Sequence, residues 1–286
     1  MDPGSPAPCT DKNLNGEALR RRNHPWKDRP QPPAPGGQLS DPNLLCRQDG
    51  EFSDALWVDL GYGAEPTTTL ESAERFRKKC PGLPLLGVEI DPERVERAQP
   101  HADQITHFRL GGFNLPLRQD AAGPCERVRG IRAFNVLRQY EESAVLQAYE
   151  RLASQVLPGG LIFEGTSDPY GRTWVANLIR CHIDEDTPWR IESLVFSTSF
   201  KLTFDPADFQ PVLPKNLIHH MQPGEPIFNF MESWKQAARE TAHQKVWGMR
   251  QWFVAAAERL AEMGYAIDLQ RRWVTRGWLV WRNPAL

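Results

Sequence analysis

The chain has 286 residues, 40% apolar and 24% charged, which is enough material for a full core. Its 34 basic and 36 acidic residues leave a net charge of −2, so no overall basic footprint for nucleic acid is present, although a local basic face is not excluded. No basic segment followed by an apolar run opens the chain and no long uncharged apolar stretch follows, so neither a secretion signal nor a membrane helix is expected.

Residues 1–45 hold nine of the 25 prolines and few apolar residues. This arm is expected to be disordered or draped over the domain, with Arg20-Arg21-Arg22 a solvated basic patch and Trp26 its natural anchor. Residues 46–286 are expected to form the folded domain. Within it, an apolar run from Ala55 to Val58 ends on Asp59 and meets the turn Gly61-Tyr62-Gly63 at once. Pro66 and three threonines follow, residue types that suit a first helical turn. Leu70, Ala73, Phe76 and Cys80 then fall on one side of a helix. A second apolar run, Leu85–Ile90, carries Glu89 near its end, where two carboxylate oxygens can accept from a ribose diol. Strand, glycine turn, helix and acid-ended strand make a nucleotide site at the carboxyl ends of an open α/β sheet.

Ile105–Leu110 alternates and predicts a third strand, ending at Gly111-Gly112-Phe113-Asn114-Leu115-Pro116. Residues 130–137 predict a fourth strand, with Asn135, Arg138 and Tyr140 at its end. Val145, Leu146, Tyr149, Leu152, Ala153 and Val156 recur at helical spacing until Pro158-Gly159-Gly160 stops them, and Leu161–Thr166 is a fifth strand. Residues 168–246 are expected to be an insertion or cap over the site. A helix is expected through Val175, Leu178 and Ile179, then one or two strands in Ser193–Phe204, then a proline-rich irregular stretch. The chain closes with a helix from Met249 to Met263 and two strands, Tyr265–Leu269 and Trp278–Trp281.

Asp59-Leu60-Gly61-Tyr62-Gly63 after an apolar strand, and Gly87-Val88-Glu89-Ile90-Asp91 at the second strand, resemble the signatures of the class I S-adenosylmethionine-dependent methyltransferases. Helix, Leu-Pro-Gly-Gly and apolar strand also recur in that family in this order. The resemblance covers residues 54–166 and 249–282. It implies an open, mostly parallel sheet of about seven strands with helices on both faces and a C-terminal antiparallel hairpin. It also implies S-adenosylmethionine as cofactor, held through Asp59, Gly61, Gly63 and Glu89, with Phe113 and Asn114 by the adenine. Phe113 stands where the family often has an aspartate, and Glu65 where many members have a further glycine. A dinucleotide site would want a glycine where Pro66 sits.

Methyl transfer from a sulfonium asks mainly for alignment and sometimes for removal of a proton, so no nucleophile or metal need show. Asn135 and Tyr140 are the catalytic candidates, and Arg138, Lys215 and His219 the substrate-binding ones. Glu164, Asp168 and Tyr170 stand in reserve. His219-His220 alone does not make a metal site, and none is expected. Cys9, Cys46, Cys80, Cys125 and Cys181 lack metal-ligand spacing and predict free thiols in a cytoplasmic chain. The acceptor is unidentified, with a small molecule favoured. The alternative is a non-catalytic binding module on the same fold.

Overall fold

The computed structural model describes residues 42–119, 125–182, 188–201, 203–284 and 286, so the expectations for the arm, with its basic patch and Trp26, lie outside the described residues up to position 41. Helix α1, Pro42–Cys46, precedes strand β1, Leu56–Leu60. The glycine turn leads into α2, Thr67–Arg77, and on to β2, Leu85–Glu89. Asp91 then caps α3, Pro92–Ala98, by accepting from the Glu93 N–H. Strands β3, Thr106–Leu110, and β4, Val128–Phe134, come next, then α4, Ser143–Ala153, and β5, Val156–Ser167.

The sheet has eight strands, in the order β3-β2-β1-β4-β5-β6-β7-β8. β3, β2, β1, β4 and β5 run parallel. β6, Thr173–Cys181, β7, Trp189–Thr198, and β8, Trp278–Arg282, extend it antiparallel. Ile267 bridges Trp281, and the Asp268 N–H donates to the Val280 carbonyl at 2.9 Å, so the chain before β8 folds back antiparallel along it, but the expected strand Tyr265–Leu269 is reduced to that single bridge.

Two expectations are corrected. The helix through Val175, Leu178 and Ile179 is strand β6, paired residue by residue with β5 and β7. Residues 168–246 are accordingly not one irregular cover, since 173–198 lies within the sheet. The rest carries a 3-10 stretch, Pro206–Val212, then α5, Lys215–Ile218, and α6, Pro226–Glu240. α7, Met249–Glu262, and a short α8, Arg271–Val274, are the remaining α-helices among the described residues.

Period-two alternation sorts the layers. Val58, Leu60, Leu86, Val88, Ile131 and Ala133 pack against Val145, Ala148, Tyr149 and Leu152 of α4. The alternate residues Trp57 and Leu85 pack against Ala73 and Phe76 of α2. A further core joins Phe196, Leu194 and Trp281 of the antiparallel strands to Phe230, Trp234 and Phe253 of α6 and α7. Trp234 is fully buried there, its ring 5.2 Å from Phe196. The segment after Pro206 thus builds core.

The free-thiol reading is also corrected. Cys46 and Cys80 form a disulfide, with Cα atoms 5.3 Å apart, tying α1 to the end of α2. The separation of 34 residues hides a meeting that only the tertiary fold creates. Cys125 and Cys181 are free, and Cys9 lies outside the described residues. Among the described residues no helix is long and apolar enough to cross a membrane.

Candidate functional site

The parallel strands end together around the glycine turn. Gly61 has φ +69° and Gly63 φ +94°, left-handed conformations that glycine adopts without strain. The Gly61 N–H donates to the Val88 carbonyl at 2.7 Å, and a Cβ on Gly61 would stand 2.6 Å from Val136 Cγ2. A Cβ on Gly63 would meet nothing within 4 Å, so the turn is open on that side. The Gly63 N–H donates to Glu89 Oε2 at 3.1 Å, and the Ile90 N–H to Glu89 Oε1 at 2.9 Å. Arg94 Nη1 lies 3.9 Å from the same carboxylate, which is 2% exposed. Gly61, Gly63 and Glu89 are therefore brought together as the sequence leads one to expect.

Beside Glu89 the structure exposes two large apolar side chains, Ile90 at 48% and Leu110 at 52%. Glu89 and Leu110 are register partners across β2 and β3. Apolar surface flanking a carboxylate at strand ends is a floor for a flat, partly polar ligand. Neither residue was singled out in the sequence, although both follow from where the apolar runs stop.

Asp59 is placed differently from the expected ligand contact. It is 0% exposed. Arg132 Nη1 reaches its Oδ1 at 2.8 Å, and the Thr69 and Thr68 hydroxyls donate to its Oδ2 at 2.7 and 3.4 Å. The carboxylate thus fixes the first turn of α2 to β4, and holds the glycine turn from behind.

On the β3–β4 side, the Phe113 and Tyr140 rings lie 5.1 Å apart, and both pack against the core beneath α4, as does Val136, the residue that abuts Gly61. Gln155 pins this loop: its Nε2 donates to the Phe113 carbonyl and its Oε1 accepts the Leu115 N–H, both at 2.7 Å. Asn114 is exposed. Asn135 has φ +58°. Its Oδ1 accepts the Ser167 N–H at 2.9 Å and its Nδ2 donates to Ser167 Oγ at 3.0 Å, so it stitches the ends of β4 and β5.

The segment after Pro206 reaches this rim. Arg138 Nη1 donates to the Pro211 carbonyl at 2.7 Å. Lys215 opens α5 and is half-buried, while His219 is exposed. His220 Nε2 is 2.8 Å from Glu142 Oε1 and Nδ1 is 3.3 Å from Glu225 Oε2, and the Glu142 hydrogen bond holds the imidazole pKa above its ordinary value. Among the described residues no group of three or more His, Cys, Asp or Glu is gathered as for a metal ion.

Asn216 points inward to a buried polar cluster. The Tyr149 hydroxyl donates to Glu164 Oε2 at 2.7 Å, and Asn177 Nδ2 lies 3.2 Å from the same oxygen and 2.9 Å from Asn216 Oδ1. Glu164 is 0% exposed. Burial pushes its carboxyl up to about 7, against the hydrogen bonds from Tyr149 and Asn177 that pull it down. Between the ordinary value of 4.5 and about 7, the folded chain holds a proton that the unfolded chain has released. Stability from this group therefore falls as pH rises through that window. Glu164→Gln is expected to flatten that fall, read as the difference in melting temperature between wild type and variant from pH 5 to pH 7. An unchanged difference across the window would refute the assignment.

No family model and no curated protein matches the chain. Among solved structures, a mitomycin 7-O-methyltransferase, MmcR, is similar at 18% identity and TM-score 0.30, over 40% of this chain and 32% of that one. Human N-acetylserotonin methyltransferase in complex with SAM is similar at 23% identity and TM-score 0.30, over 44% of this chain and 33% of that one. The plantazolicin methyltransferase BpumL, in complex with a pentazolic desmethylPZN analog and SAH, is similar at 14% identity and TM-score 0.30, over 40% of this chain and 39% of that one. The match spans between about a third and two fifths of the length of these three proteins.

Proposed function

We propose that the chain binds S-adenosylmethionine at the carboxyl ends of β1, β2 and β3 and transfers its methyl group to a small-molecule acceptor. The observation that carries this reading is the Gly61–Gly63 turn drawn onto Glu89 beside exposed Ile90 and Leu110. The open side of Gly63 leaves room for a ligand against the backbone. Glu89 would receive the ribose hydroxyls, and Ile90 and Leu110 the adenine face. The cofactor supplies a sulfonium methyl carbon open to in-line displacement. The chain's part is to hold donor and acceptor in line and to keep water out. Phe113, Tyr140 and Val136 form the apolar wall between the turn and the end of β4. Arg138 and the stretch it holds at Pro211 border the acceptor side.

Calorimetric titration with S-adenosylmethionine and with NADH tests the reading. Binding of the first and not the second is the expected result. Glu89→Ala is expected to weaken S-adenosylmethionine by about 1–3 kcal/mol, the scale of hydrogen bonds lost to a charged group. Unchanged affinity in a folded variant would remove the ribose assignment.

A second reading keeps the fold as a binding platform without catalysis. The full internal pairing of Asp59 favours it, since the turn is held without any ligand. Mass spectrometry for methylated product separates the two.

A further inference from the structure

The antiparallel half of the sheet ends in a group of cations that meet no carboxylate. The register sets Ser167 of β5 beside Trp174 of β6, Trp174 beside Ser197 of β7, and Ser197 beside Trp278 of β8. The loops at these residues therefore share the carboxyl edge of the sheet with the glycine turn, on the other side of β4 from it. There the Ser199 N–H donates to the Arg172 carbonyl at 2.8 Å, and the Thr198 N–H to the Gly277 carbonyl at 2.9 Å. These two bonds gather Arg172, Lys201 and Arg276 around the end of β7. A Cβ on Gly277 would stand 2.8 Å from Phe200 Cε2, so the Phe200 ring lies against the same backbone. Arg250 Cζ is 5.4 Å from the centre of that ring. Lys201, Arg250 and Arg276 are exposed and Arg172 is half-buried.

Arg180, Arg259 and Arg282 each meet a carboxylate, whereas Arg172, Lys201, Arg250 and Arg276 make no ion pair among the described residues. Asp168 and Asp205, on the loops beside them, turn instead onto backbone N–H groups, Asp168 onto those of Tyr170, Arg172 and Thr173 and Asp205 onto that of Ala207. Like charges gathered without partners repel one another and do not support the fold. Arg250 also stands in the first turn of α7, which has no acidic residue there and no side-chain cap. A cation at that end opposes the helix dipole, and the unpaired N–H groups of the turn add to the positive field. Large rings accompany these charges. Arg172 Cζ lies over the Tyr170 ring at 4.6 Å, and Tyr170 is 68% exposed. Trp247, just before α7, is 70% exposed. Along the contacts from Tyr170 through Arg172, Phe200 and Arg250 to Trp247, rings and cations alternate.

We propose that this strip is a binding surface for single-stranded nucleic acid, with Arg172, Lys201, Arg250 and Arg276 on the phosphates and the Tyr170 and Trp247 rings stacked on bases. The proposal goes beyond the methyl-transfer reading and does not rest on it. A backbone-tracking row of cations interleaved with exposed rings is how such strands are held without reading their sequence. From β5 to β8 the edge spans three strand spacings, about 14 Å, the rise of about four stacked nucleotides. An acidic protein would engage the cations and leave the rings idle. A membrane surface calls for apolar side chains gathered on one face, and here the two exposed rings stand at the two ends of the contacts, with the cations between them.

The test uses the full chain and fluorescence anisotropy of labelled oligouridylate and oligothymidylate of about ten nucleotides. Both are expected to bind, and the tighter of the two identifies the partner as RNA or DNA. The logarithm of affinity is expected to fall against the logarithm of salt with a slope of about −3, about 0.7 for each of four cations. The double variant Arg172→Ala, Arg250→Ala is expected to bind about tenfold more weakly at low salt, with the slope reduced to about −1.4. Tyr170→Ala and Trp247→Ala are each expected to weaken binding by about fivefold or more, the lower end of base stacking, with the slope unchanged. Polyglutamate supplies charge without bases and is expected to bind more weakly, indifferent to the two ring variants. Vesicles of phosphatidylcholine and phosphatidylserine are expected not to retain the chain. No oligonucleotide binding at low salt, binding unmoved by the folded variants, polyglutamate binding as tight as the oligonucleotides, or retention on the vesicles would overturn the proposal. Should a variant not fold, the wild-type slope and the comparison with polyglutamate decide. Calorimetry with S-adenosylmethionine is a separate measurement, so failure of the methyl-transfer reading would leave this result standing, and the reverse holds as well.

Discussion

Asp59→Ala is expected to destabilise the protein by about 3–5 kcal/mol, the cost of removing one partner from a buried ion pair. Arg132, 2% exposed with its guanidinium over the Phe134 ring at 4.6 Å, would lose this buried carboxylate. The Thr68 and Thr69 hydroxyls would lose their acceptor at the same time. Loss of that acceptor frees the first turn of α2, so the damage should spread to the glycine turn that α2 follows. Asp59→Asn keeps the shape and one acceptor oxygen and should cost less. Replacing both partners, Asp59→Leu with Arg132→Met, removes the buried charge that faces Asp59 and should recover part of the loss. Chemical denaturation of the four proteins measures this. A single-variant loss under about 1 kcal/mol, the range of an exposed pair, would refute the anchoring role.

The turn was legible because its signals are local. Gly61 and Gly63 need left-handed φ, and Glu89 sits at the end of an apolar run, so both features are written within a few residues. The role of Asp59 was not legible, because its partner Arg132 lies 73 residues away. Strand β6 was misread for a different physical reason. Val175, Leu178 and Ile179 satisfy a helical period, and β6 is buried on both faces: Trp174, Ala176 and Leu178 join one core, Val175 and Ile179 others. A strand buried on both faces has no polar face to alternate with. The prolines from 206 to 223 were read as arguing against regular structure, yet the stretch settles into short helices. Pro206 opens a 3-10 stretch, and Pro214 precedes α5. Glu164 stood in reserve because one acid in an apolar strand says nothing of its neighbours. Its meaning came from Tyr149 and Asn177, which the fold delivers from α4 and β6.

Arg129 sets the other large effect, and it lies far from any ligand. The side chain is 1% exposed on β4 and donates to backbone carbonyls alone among its described hydrogen bonds. Nε reaches the Ala55 carbonyl at 2.7 Å. Nη1 reaches those of Leu44, Leu45 and Arg47 at 3.2, 2.8 and 2.9 Å, and Nη2 that of Phe52. One guanidinium thus gathers the stretch from α1 to the start of β1, where no regular ladder could satisfy those carbonyls. Burial pushes its pKa down, yet an arginine keeps its charge, so the site holds a buried cation matched by oriented dipoles. Arg129→Met fills similar volume and removes every donor. The loss is expected to be on the order of 4 kcal/mol, because several carbonyls are orphaned at about 1–3 kcal/mol each and water rescues those nearest the surface. The Cys46–Cys80 disulfide should limit the damage by keeping α1 close to α2. Arg129→Met under reducing conditions should therefore unfold more easily than the oxidised variant, while wild type responds less to reduction. Hydrogen exchange should rise in residues 44–55 first and leave the strand ends at 89–90 and 110 unchanged. Exchange that rises equally in both places would mean that Arg129 supports the whole sheet and not this one stretch.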